Sequence, residues 1–155
     1  MKEIVALLIQ KGETISTMES CTGGYVANAI TNIEGSSAVF RFGAVTYSND
    51  FKIKMGVNKE IIEDFTVYSM ETADSMSQSI CKFTDSDYGV GITGQINRKD
   101  PNNETEEDNQ IYISIYEKRN NQFFHSQIEA MNATREENKQ KILLKIEKML
   151  NVILS

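Results

Sequence analysis

Apolar positions recur along the chain with two different periods, and the changes of period mark its elements. Ile4, Leu7 and Leu8 fall at helical spacing and Gly12 stands where helices commonly end, so residues 2–11 are predicted helical. Thr14 to Met18 (TISTM) alternates and is rich in β-branched residues, which suits a strand, while Val26, Ala27 and Ile30 put one apolar face on a helix over 22–31. The stretch VFRFGAVTY (39–47) reads as a strand with a weakening glycine, and 51–55 and 59–65 as short helices. A longer helix over 67–83 rests on Ala73, Met76 and Ile80; YGVGIT (88–93) is a near-continuous apolar strand of the kind buried on both faces. Residues 95–109 are polar and acidic, hold the only proline, Pro101, and are expected to form an exposed, mobile loop. IYISIYE (111–117) and QFFHSQIEA (122–130), separated by KRNN, read as a hairpin, and 132–150 as the last helix. Helices interleaved with strands predict an α/β fold, three layers with a mixed β-sheet flanked by helices.

Size and charge narrow the setting. A length of 155 residues fits one domain, 1–155, without disulfide or metal staples. No apolar run approaches the roughly 20 residues a bilayer requires, so no membrane role is expected. The N-terminal stretch has an apolar core only from Ile4 to Ile9 and no small-residue cleavage site, and reads as a mature amphipathic helix. Sixteen basic residues against 22 acidic ones, a net charge of −6, disfavour binding to a phosphate backbone, so nucleic acid is not an expected partner. Cys21 and Cys81 match no zinc or redox spacing and read as buried thiols of a cytoplasmic protein.

The candidate chemistry gathers at MESCTGG (18–24), the turn from the first strand into the second helix. A serine or threonine there commonly caps a helix. The crowding of Ser20, Cys21 and Thr22 and the pair Gly23 and Gly24 also suit a nucleophile or an anion held on backbone amides. Neither GxxxxGK[ST] nor GxSxG is present. The one histidine, His125, lies in a late strand and reads as structural, so a Ser-His-Asp triad is not favoured. A lysine can replace the histidine as base; Lys52 and Lys54 follow the strand ending at Tyr47, though position alone makes either a solvated surface lysine. The acidic residues Glu104, Glu106, Glu107 and Asp108 lack a calcium-loop pattern, and no metal is assigned.

Taken jointly, ESCTGG (19–24), GSSAVFR (35–41) and the segment from Thr46 to Lys52 resemble the C-terminal domain of the competence-damage-inducible CinA family. Single-domain members of that family act as nicotinamide-nucleotide amidohydrolases. The resemblance implies deamidation of nicotinamide mononucleotide to nicotinic acid mononucleotide and ammonia, a step of pyridine-nucleotide recycling, with no cofactor and a small-molecule nucleotide as substrate. It implies Ser20 as nucleophile, Lys52 as general base and Tyr47 as a positioning or proton-relay group. Cys21, Thr22, Gly23 and Gly24 would bind substrate through their amides, on the oxyanion or on the phosphate. Thr93 and Gly94 would line the pocket, and Arg135 would contact the phosphate or orient the substrate. A homo-oligomer is a further expectation, because small domains of the family tend to assemble. One departure stands out: where the family continues past TG as a glycine- and proline-rich loop close to IAGPGGG, this chain reads QINRKDPNNETEEDNQ. Larger polar and acidic side chains there reshape the pocket wall, so the alternative expectation is a weakened or inactive CinA-like nucleotide-binding or interaction module.

Overall fold

The computed structural model describes residues 1–97 and 109–155. The elements run α1 (Lys2–Lys11), β1 (Ile15–Glu19), α2 (Tyr25–Thr31), a 3-10 turn at Ser36–Ala38, β2 (Phe40–Val45), α3 (Asn49–Lys54), α4 (Lys59–Phe65), α5 (Met70–Thr84), β3 (Tyr88–Gly94), β4 (Gln110–Glu117), β5 (Gln122–Glu129) and α6 (Arg135–Leu154). The strands form one mixed sheet in the order β2-β1-β3-β4-β5. The first three are parallel, and β4 and β5 are added antiparallel as the hairpin.

Alternation along the strands builds a core on each face of the sheet. Ile15, Val90, Ile92, Ile113 and Ile115 point to one side, where Ile4 and Leu8 of α1, Val26 and Ile30 of α2, and Ile142, Ile146 and Leu150 of α6 cover them. Met18 and Ala44 point to the other, against Met76 and Ile80 of α5 and Val57. The result is the expected three-layer α/β/α arrangement with a mixed sheet. Gly89 and Gly91 explain how close α5 lies to β3: a Cβ on Gly91 would sit 2.3 Å from the Ala73 carbonyl oxygen, so only glycine admits the helix backbone there.

Several boundaries move from their predicted places, each for a local reason. The second helix begins at Tyr25 rather than at 22, because Gly23 and Gly24 turn the chain through left-handed φ of 61° and 95°. The helix predicted over 67–83 begins at Met70, where the Ser69 hydroxyl accepts the Thr72 amide at 3.1 Å and caps it. The strand predicted over 39–47 is β2, Phe40–Val45, and the last helix starts at Arg135 behind a Thr134–Glu137 capping box. The predicted exposed loop begins with two buried residues, Gln95 and Ile96; its acidic run and Pro101 lie outside the described residues. Among the described residues no helix is long and apolar enough to cross a membrane.

The topology also fixes where a site can open. From β1 the chain crosses by α2 on one face of the sheet to β2; from β2 it returns by α5 on the other face to β3. Connections leaving on opposite faces open a crevice at the carboxyl ends of β1 and β3, the usual ligand position in open α/β sheets. Ser20 follows β1 and Gly94 ends β3.

Candidate active site

The turn after β1 is pinned by backbone bonds. The Ser20 amide donates to the Ile92 carbonyl of β3 at 3.0 Å, and the Gly23 amide donates back to the Ser20 carbonyl at 3.0 Å. These bonds hold Ser20 at the head of the crevice with its side chain almost fully enclosed.

Lys52 reaches the same place from β2's side. The Ser48 side chain caps the short α3 by accepting the Phe51 amide, and this orientation turns Lys52 inward. Its side chain is 2% exposed, which corrects the surface position suggested by its place in the chain. The Lys52 Nζ donates to the Thr46 carbonyl at 2.8 Å and to the Ser20 Oγ at 3.0 Å. Thr46 is itself tied to β1, its amide donating to the Glu19 carbonyl at 2.8 Å. The carbonyl of Thr46 therefore fixes the direction from which the amine meets the serine.

Glu19 holds the other end of the turn. Its fully buried carboxylate accepts the amides of Gly24 at 3.2 Å, Val26 at 3.1 Å and Ala27 at 2.8 Å. A buried carboxylate needs such donors, and here it takes those that a short helix leaves unsatisfied at its start. Neither a serine nor a threonine caps α2, contrary to the usual local rule. The expected amide cradle from Cys21 to Gly24 is thereby halved: Gly24 is bound to Glu19 and Gly23 to the Ser20 carbonyl. The amides of Cys21 and Thr22 donate to no other residue among those described.

The remaining predicted site residues divide into those that converge and those with structural work. Burial pushes the Cys21 thiol up to about 12 despite the opposing Arg135 charge, so it stays protonated and is no nucleophile. Thr22 is buried, and its hydroxyl has no partner among the described residues. Tyr47 is exposed and makes no hydrogen bond to Ser20 or Lys52; its hydroxyl accepts the Arg135 Nη2 at 3.4 Å. Arg135 also donates through Nη1 to the Ile96 carbonyl at 2.6 Å, which brings the start of α6 to the end of β3. The Thr93 hydroxyl donates to the Val67 carbonyl at 2.7 Å and is spent on the fold. Gly94 is there for close approach, since a Cβ would meet the Gln110 carbonyl oxygen and the Ile111 Cα at 2.6 Å. His125 pairs through Nε2 with the Asp74 carboxylate at 2.7 Å, apart from Ser20. Among the described residues no three His, Cys, Asp or Glu side chains cluster as a metal site.

The sequence profile of the CinA C-terminal domain matches residues 1–153. The chain belongs to that family. A CinA-like protein of Kosmotoga olearia is 49% identical over 96 residues, which cover 61% of this chain and 23% of that relative's length. The crystal structure of the competence/damage inducible protein CihA from Agrobacterium tumefaciens superposes with a TM-score of 0.83 at 30% identity, over 97% of this chain and 94% of that one. A CinA superfamily protein from Klebsiella pneumoniae shares the fold with a TM-score of 0.89 at 20% identity, covering 99% of this chain and 94% of that one.

Two residues at this site lie outside those expected from the sequence. Glu19 belongs to the ESCTGG motif, but a carboxylate reaching forward from a strand end to amides five to eight residues on has no local signature. Lys139 lies on α6 one turn past Arg135; a Cβ on Gly23 would lie 3.6 Å from its Nζ. Helical spacing from Arg135 was the signal available for it.

Proposed function

We propose that this chain is an amidohydrolase that converts nicotinamide mononucleotide to nicotinic acid mononucleotide and ammonia, with Ser20 as nucleophile and Lys52 as general base. The observation that carries the reading is the buried 3.0 Å contact between Ser20 Oγ and Lys52 Nζ. It lies within the range a nucleophile and its base require. Once deprotonated, the amine keeps one N–H on the Thr46 carbonyl and the direction of its contact with Ser20 reverses, the lone pair accepting the serine proton. Taking an ammonium out of water favours that neutral form.

The steps follow from this pairing. Ser20 Oγ attacks the carboxamide carbon while its proton passes to Lys52 Nζ, and the amides of Cys21 and Thr22 stand available to the oxyanion. Collapse breaks the C–N bond as Lys52 returns the proton to the leaving nitrogen, so ammonia departs and an ester remains on Ser20. Water then attacks the ester, Lys52 again accepting and returning a proton, and the carboxylate product leaves. Tyr47, with its hydroxyl on Arg135, orients that guanidinium in this scheme instead of relaying a proton. The reaction uses no metal or organic cofactor, and pyridine-nucleotide recycling would place it in the cytoplasm.

A second reading, a CinA-like nucleotide-binding module without turnover, is favoured by one feature, the replacement of the glycine-rich continuation by QINRKDPNNETEEDNQ after Gly94. Ammonia release from nicotinamide mononucleotide, measured on the parent and on Ser20→Ala, decides. Turnover by the parent that disappears in Ser20→Ala is expected; a silent parent would sink the amidohydrolase, and turnover surviving the substitution would sink the serine mechanism.

A further inference from the structure

Two cations look onto the Ser20 turn from one face of α6. Arg135 and Lys139 are four residues apart and so are neighbours on the helix surface. The Lys139 Nζ stands over Gly23, 3.6 Å from where a Cβ on that residue would lie. Arg135 spends one N–H on the Ile96 carbonyl and one on the Tyr47 hydroxyl, leaving the rest of its five donors for a ligand. Among the described residues neither cation forms an ion pair. In a chain of net charge −6, unpaired cations gathered at one turn create a local positive field.

The other place for an anion is closed. The amides of Gly24, Val26 and Ala27 are held by the Glu19 carboxylate. That carboxylate fills the start of α2 and repels a phosphate brought near it. Resting on the amidohydrolase reading, we infer that Lys139 seats the phosphate of the mononucleotide from the α6 side, alongside Arg135, and that the amides at the start of α2 take no part. An ammonium placed over the turn supplies a point charge, and the guanidinium supplies a fork of parallel donors; together they suit a tetrahedral dianion.

The test compares kcat/KM for nicotinamide mononucleotide and for nicotinamide riboside, which lacks the phosphate, with calorimetric binding of both ligands run alongside. The variants are Lys139→Ala, Lys139→Arg and Lys148→Ala, the last an exposed lysine farther along α6 that controls for net charge. Lys139→Ala should lower kcat/KM for the mononucleotide about tenfold, mostly through KM, and leave the riboside at the parental value. Lys139→Arg should restore most of the loss, and Lys148→Ala should change neither. Equal losses on both substrates, or no loss on the mononucleotide, overturn the inference. If the parent hydrolyses neither, binding decides: a preference for the mononucleotide that Lys139→Ala removes keeps the phosphate seat while the amidohydrolase reading falls. A parent that does not bind the mononucleotide, or binds both ligands equally, overturns the seat as well.

Discussion

Replacing Glu19 by Gln changes no volume and tests whether the buried carboxylate holds the catalytic turn. One carboxylate oxygen accepts the Gly24 and Val26 amides and the other accepts Ala27. A glutamine can present one oxygen only. Its best rotamer keeps the two-amide side and turns its NH2 group against the Ala27 N–H. That loses one hydrogen bond to a charged acceptor and weakens the other two, while relief of the carboxylate's desolvation returns part of the cost, for a net loss of about 3 kcal/mol. In a chain of this size that lowers the melting temperature by roughly 6–12 °C. The same change frees the Ser20–Gly24 turn to shift, and misplacement of a nucleophile by an ångström costs about 100-fold in rate. Differential scanning calorimetry and ammonia release on Glu19→Gln measure the two effects. A parental melting temperature with parental turnover would refute this account of the turn.

Other substitutions probe the fold and the site separately. Gly91→Ala places a Cβ 2.3 Å from the Ala73 carbonyl oxygen and 2.6 Å from the Ser77 amide nitrogen. Urea denaturation should show a loss of about 3 kcal/mol as α5 is pushed off β3. Cys21→Ala keeps the backbone amide and removes a thiol that burial holds protonated. Its ammonia release should stay near parental, and a loss matching Ser20→Ala would contradict the assignment of the nucleophile. Glu137 accepts the Thr134 amide and hydroxyl, and the amide bond first, then the hydroxyl, lowers its carboxyl below the ordinary 4.5. The unfolded chain then binds this proton more readily than the folded one, so the contribution is present above that value and is lost as pH falls below it. Glu137→Gln should flatten the acid limb of stability against pH.

The layers of the fold were legible because apolar periodicity reports burial. Ile4, Leu8, Val26 and Ile30 face the sheet as their spacing predicts. What periodicity does not encode is backbone handedness and reach. Gly23 and Gly24 delay α2, and Glu19 caps it from a neighbouring strand end, so the local rule for serine and threonine fails at this turn. Lys52 illustrates the same limit: a lysine in NDFKIK reads as solvated, and the cap at Ser48 and the Thr46 carbonyl turn it inward. The serine-lysine pair was legible only through the joint pattern of ESCTGG and the segment ending at Lys52. Gln95 and Ile96 read as exposed from their polar neighbours and are buried because Gln95 continues the pairing to Gln110 at 3.0 Å.

The central claim is that Ser20 and Lys52 act as one unit, and a double-mutant cycle on ammonia release from nicotinamide mononucleotide measures that directly. Ser20→Ala and Lys52→Met should each lower kcat by roughly 10³-fold or more, and the double variant should be no slower than the worse single one. Losses that multiply, or a Lys52→Met variant with parental kcat, would contradict it.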